Sequence, residues 1–200
     1  MKKNIIFFSL FFCTIIAEAQ TYIPFPTNNS SWVESRTFRR QGFPTYVNCF
    51  QMLTRIDQDT IMSGLQYHRL YQVFIDYTDH TQCISNTYDS IMYYGGYIRN
   101  DSLNKKVYFK LSPSSPDTLL YDFDLKLGQL YPSTYLSYAN PSLDSDSVIR
   151  IDSIYINSRW HKRFTLTKNK NNCNNSSTYY LIEGVGSSSG FWSRGNCDTL

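Results

Sequence analysis

Apolar side chains recur along this chain at every second position, and that period predicts strands. It is cleanest from Leu119 to Leu127, where Leu119, Tyr121, Phe123, Leu125 and Leu127 alternate with Leu120, Asp122, Asp124 and Lys126. Successive side chains of a strand point to opposite faces, so one face is expected in the core and the other mostly in water. Lys105 to Leu111 repeats the design, with Val107, Phe109 and Leu111 inward and Lys106, Tyr108 and Lys110 outward. Trp160, Phe164 and Leu166 alternate with His161, Arg163 and Thr165. Val148 to Ile156 is rich in β-branched residues, but its apolar phase slips near Ser153, which predicts a bulge. Tyr46 to Ile56 and Ile61 to Tyr77 flank the polar Asp57-Gln58-Asp59 and read as a long hairpin. Ile91 to Arg99 and Thr178 to Glu183 complete the set.

These segments make about eight or nine strands, and no stretch carries a helical period. Turn chemistry separates them at Asn100-Asp101, Pro113 to Pro116, Asn140-Pro141 and Lys168 to Ser177. The expected fold class is all-β, an antiparallel meander closed as a small barrel or folded as a sandwich. Residues 20–43 are expected as an irregular N-terminal arm and 44–200 as a single β-rich domain. Tyr131 to Ser147 is expected as a long loop.

Composition agrees. The chain holds 17 Tyr, 13 Phe and 3 Trp, residue types that suit half-buried pleated surfaces. Its net charge of +3 comes without a basic block, so no nucleic-acid partner is expected. Residues 1–19 have the form of a cleaved signal peptide: Lys2 and Lys3, an uncharged apolar stretch to Ile16, then Ala17-Glu18-Ala19. No later segment is long and apolar enough for a membrane span. Export leaves Cys49, Cys83, Cys173 and Cys197, an even count that suggests two disulfides with three possible connectivities. Cys173–Cys197 is favoured, because the pair brackets one hairpin-sized segment, which leaves Cys49–Cys83.

Several segments carry a resemblance. They are Asp59-Thr60-Ile61 with Tyr67 to Tyr71, Gly96 to Asp101, Lys106 to Phe109, Leu119 to Gly128, and Ile182 to Ser187. Together, over roughly residues 44–192, they resemble a β-rich domain of exported Bacteroidetes-type proteins that often carry a type IX secretion sorting tail. The resemblance implies a secreted β-rich module and carries no catalytic residues with it. The sorting tail does not follow here, so the expected location is secreted or extracellular, with the periplasm as the alternative. Triplets such as Asp59-Thr60-Ile61, Asp101-Ser102-Leu103 and Asp152-Ser153-Ile154 resemble the O-glycosylation acceptor of the same group, although a turn followed by a strand start gives the same pattern.

Catalytic chemistry is sparse. Gly186-Ser187-Ser188-Ser189-Gly190 matches a nucleophile elbow in letters, but neither a helix nor a histidine follows it, and a Gly/Ser loop is the better reading. His68, His80 and His161 are isolated; His68 and His161 fall on polar faces and are expected in solvent. No metal site and no cofactor are expected. Asp122 and Asp124 share a strand face about 6.6 Å apart, a separation that glycosidase carboxylates use but that exposed pairs meet by chance. Glu183 is expected to be partly buried and paired with an arginine such as Arg99. Trp32, Trp160, Trp192 and Tyr108 are candidate contacts for a glycan, a peptide or a cell-surface component. The leading expectation is a non-catalytic binding or accessory domain. The alternatives are a lipocalin-like small-ligand carrier and a hydrolase using Asp122, Asp124 or Glu183.

Overall fold

The computed structural model describes residues 21–40, 46–76, 90–135, 146–167, 178–188 and 190–192. All ten of its elements are strands. The first six are β1 (Ser31–Arg40), β2 (Tyr46–Met62), β3 (Leu65–Asp76), β4 (Ser90–Asp101), β5 (Lys106–Lys110) and β6 (Thr118–Asp122). They form one antiparallel sheet in sequence order. The last four are β7 (Ser147–Ile156), β8 (Arg159–Thr167), β9 (Thr178–Ile182) and β10 (Gly186–Ser187), which form a second antiparallel meander. The expected all-β meander is therefore the observed architecture, divided between two sheets.

Local chemistry moves several boundaries. The β2–β3 turn lies at Ser63-Gly64, not at Asp57-Gln58-Asp59. Both turn residues have positive φ (52° and 76°), which matches the twist of a two-residue hairpin. The polar triplet sits instead inside β2, where the register with β3 shifts between Ile56 and Asp59. Asn157-Ser158 closes β7–β8 in the same way, with φ of 48° and 63°. The β7 bulge falls between Val148 and Arg150 rather than at Ser153. Strand β1 occupies part of the expected irregular arm. Its period is hidden because the inward position after Trp32 is Glu34, 5% exposed, whose carboxylate accepts the Trp192 amide at 2.9 Å.

Strand β6 ends at Asp122 rather than Leu127. The Asp122 side chain accepts the Asp124 amide at 2.9 Å, a local bond that replaces the ladder. The chain stays extended, buries Phe123 and Leu125, and then runs beside β7, where the Gly128 amide donates to the Val148 carbonyl at 2.8 Å. Leu127 and Leu111, both expected inward, are exposed because each lies past the end of its strand. Leu120, expected on the wet face, is buried: the β5–β6 register skips it, and this bulge lets Leu120 and Tyr121 both enter the core.

One core serves both sheets. Leu70, Ile98, Val107, Phe109 and Tyr121 come from the first, and Val148, Phe164, Leu166 and Leu181 from the second. Residues 21–30 have no regular secondary structure yet act as a strap across this core. Phe25 is buried and stacks on Trp32 with centroids 5.1 Å apart, and the Asn100 side-chain amide donates to its carbonyl at 2.7 Å. Among the described residues no helix is long and apolar enough to cross a membrane.

Candidate functional site

The strap, the β7–β8 hairpin and the turn after β9 meet around an open groove of about 650 Å³. Pro24, Asn29 and Trp32, Asn157, Arg159 and His161, and Gly184-Val185 line it. Arg159 and His161 share a face of the hairpin because they pair with Ile156 and Ile154. His161 is 7% exposed, and its Nδ1 lies 2.7 Å from the Glu183 carbonyl oxygen. A carbonyl only accepts, so Nδ1 carries a proton and donates it to this bond. The Trp32 indole donates to the Val185 carbonyl at 3.0 Å, so Trp32 is a fixed wall. Arg159 is exposed and forms no ion pair among the described residues. The groove thus presents amide, guanidinium and imidazole groups beside the apolar Ile23, Pro24, Pro26 and Ile156.

Beneath the strap lies a sealed polar group. Glu183 is 3% exposed, and backbone amides of Ile23 and Lys162 hydrogen-bond its carboxylate. Oε2 has no partner, and burial pushes the carboxyl pKa up. The Tyr22 hydroxyl is likewise buried without a partner, and its pKa is raised first by burial, then by Glu183, Asp101 and Asp122. Lys162 is pulled down by burial, with Lys105 and Lys126 adding repulsion. Gly184 explains the close fit: with φ of +72°, a Cβ there would lie 2.7 Å from the Ile23 side chain.

On the outer face of the first sheet, Asp117 is a hub. The Tyr67 hydroxyl donates to it at 2.9 Å, Arg99 Nη2 at 2.8 Å, and Lys110 Nζ stands at 3.9 Å. Arg99 also lies over the Tyr108 ring at 4.5 Å. Arg99 therefore pairs with Asp117 and not with Glu183.

The other sequence candidates scatter. Trp192 donates its indole N–H to Thr54 at 3.1 Å and packs edge-on against Phe109, so it is part of the wall of the core. Trp160 is 60% exposed at the β7–β8 tip, 5.2 Å from the Tyr155 ring, on the side of the hairpin away from the groove. Asp122 is buried near Lys106 at 3.7 Å, whereas Asp124 is half-exposed between Lys105 and Lys126, so the two do not share a strand face. Ser188 is tied to Tyr180 by paired bonds of 2.8 and 2.9 Å, which makes it a turn lock. Both described histidines are buried, contrary to the expectation of solvent exposure. His68 shares the core face with Leu70 and reaches out to the Asp59 carboxylate at 2.7 Å, and His161 is covered by the strap and the β9 turn.

Among the described residues no three His, Cys, Asp or Glu side chains gather as a metal site. His80, Cys83, Cys173 and Cys197 lie outside the described residues; Cys49 is opposite Thr37 on β2, its side chain outside the description. Sequence reasoning missed Asn29, Asn157 and Arg159. Asn157-Ser158, between the strand runs ending at Ile156 and starting at Trp160, is the available signal, a turn dipeptide that closes a hairpin. Comparison with family models, with curated proteins and with solved structures finds no match to this chain.

Proposed function

We propose that this protein is an exported, non-catalytic binding domain, and that the groove between the strap and the β7–β8 hairpin is its contact site for an oligosaccharide. The observation that carries the reading is the groove's lining. Asn29, Asn157 and Arg159 offer directional polar groups beside the apolar Pro24 and Ile23, a combination suited to a ligand with hydroxyls on one edge and C–H groups on a face. Among the described residues the hydrogen bond of His161 goes to a backbone carbonyl, and none goes to a serine or a carboxylate side chain. Export rests on the signal-like leader and on the resemblance to exported β-rich domains. A carrier reading has less support, because rings such as Phe25, Phe109, Tyr121 and Phe164 fill the space between the sheets. A hydrolase reading also has less, because Glu183 is sealed under Tyr22 and Ile23.

Glycan and peptide arrays probed with the purified mature protein test this. The expected result is retention of a set of neutral oligosaccharides that Arg159→Ala loses by about tenfold, the size of one charged hydrogen bond. Retention of peptides alone, or of glycans to which Arg159→Ala is indifferent, would contradict it.

A further inference from the structure

The first sheet carries a second feature, on the face turned away from the core. Tyr71 pairs with Tyr94, Arg69 with Tyr97, and Tyr97 with Lys110, so these side chains stand on one surface of β3, β4 and β5. Arg55 joins them as the β2 partner of Tyr71. The positive φ of Gly96 (+96°) and the register shift at Leu70/Tyr71 allow Tyr94 and Tyr97 to stand together, edge to face at 5.3 Å. Tyr94 remains 46% exposed.

Arg69 is the centre of this surface. Its two hydrogen bonds go to neutral acceptors, the Tyr71 hydroxyl at 3.1 Å and the Gln58 side chain at 3.3 Å. Its Nε is buried with no acceptor. The neighbouring cations have carboxylates: Arg55 lies 3.9 Å from Asp57, and Arg99 and Lys110 share Asp117. Lys106, on the same face by its pairing with Asp101, lies 3.7 Å from Asp122, so among the described residues Arg69 is the cation of this face that forms no ion pair. A guanidinium held in place by tyrosine, with donors still unspent, is pre-organised for a planar or tetrahedral oxyanion.

We propose that this tyrosine–arginine face is a binding site for an acidic polysaccharide. A carboxylate or sulfate of the glycan takes the place of the Gln58 amide on Arg69, and a sugar ring packs on the exposed Tyr94 beside Tyr71. Gln58 is exposed on the β2 bulge, so it can swing away without disturbing the ladder. Tyrosine supplies stiff contact area and a hydroxyl at its rim, which suits a sugar better than an extended peptide whose backbone needs a free strand edge. β3 and β4 are interior strands of the sheet, paired on both sides. The site is separate from the groove and does not depend on it.

Affinity electrophoresis of the full mature protein through polygalacturonate, dextran sulfate and neutral dextran tests the proposal, with polyglutamate as a soluble competitor. The expected result is retardation by one or both acidic polysaccharides and not by dextran, weakening as salt rises. The two acidic probes distinguish carboxylate from sulfate as the anion recognised. Arg69→Ala should weaken retardation about tenfold or more, Arg69→Lys less, because lysine keeps the charge and loses the fork. Tyr94→Ala, at an exposed position, should also weaken it and serves if the Arg69 variants do not fold. Arg159→Ala should leave it unchanged, so failure of the groove reading leaves this result standing. Absence of retardation by both acidic polysaccharides, equal displacement by polyglutamate at matched charge, or folded Arg69→Ala and Tyr94→Ala proteins retarded like the parent would each overturn the proposal.

Discussion

Truncating Phe25 tests whether the irregular strap is structural. The ring is 1% exposed and lies 5.1 Å from Trp32, 5.5 Å from Tyr121 and 5.9 Å from Phe191. Removing it deletes buried apolar area and leaves a cavity among Trp32, Tyr121 and Phe191, while the Asn100 bond to the carbonyl of residue 25 holds the strap backbone in place. Such Phe→Ala changes cost about 3–5 kcal/mol, a large share of the roughly 5–15 kcal/mol that holds a domain together. A segment merely lying on the surface would lose about 0.5 kcal/mol or less. At about 2–4 °C per kcal/mol for a domain of this size, the melting temperature of Phe25→Ala should fall by about 10 °C. Urea titration followed by tryptophan fluorescence should show a lower midpoint with an unchanged slope. Tyr155→Ala, at the exposed hairpin tip, is the control and should cost about 1 kcal/mol at most. A Phe25→Ala midpoint indistinguishable from that of the parent would refute the strap.

Further outcomes follow from the same geometry. Gly96→Ala places a Cβ 2.6 Å from the Phe109 ring and 2.8 Å from the Lys110 carbonyl oxygen, whereas Gly64→Ala meets nothing within 4 Å. The first should cost several times the ~1 kcal/mol expected of the second in thermal melts. Asp117→Asn removes the charge shared by Tyr67, Arg99 and Lys110 and should cost about 1–3 kcal/mol by urea titration. Glu183 has its folded pKa raised by burial, so the folded state holds its proton more tightly than the unfolded chain does. Its contribution is therefore fully present below the ordinary carboxylate range and is lost as pH rises through that range to the folded pKa. Glu183→Gln should gain stability relative to the parent as pH increases from 4 to 7, and a difference independent of pH would contradict the assignment. Mass spectrometry with and without reductant should show two disulfides among Cys49, Cys83, Cys173 and Cys197.

Much of the fold was legible because period two survives wherever a strand has one core face. Val107 and Phe109, Phe164 and Leu166, and Leu70 with Ile98 all follow it. The pattern failed where a polar side chain does core work. Glu34 faces inward to hold the Trp192 amide, and His68 and His161 are buried because each finds one acceptor, so hydropathy assigned them to water. It also failed at strand ends, where Leu111 and Leu127 keep the period after the sheet has stopped. The groove was not legible, because it joins Asn29, Asn157 and Arg159 across more than a hundred residues of chain, and only the docking of the strap brings them together. Turn dipeptides were the underused signal: Ser63-Gly64 and Asn157-Ser158 place two hairpins, and the second positions half of the site.

The most direct test of the groove as a ligand site is a backbone amide NMR titration of the purified mature protein with the best neutral oligosaccharide from the array. The account predicts shifts concentrated at residues 28–32, 156–161 and 184–185, with saturation moved to about tenfold higher ligand concentration in Arg159→Ala. Shifts confined to other surfaces, or an Arg159→Ala titration identical to that of the parent, would contradict it.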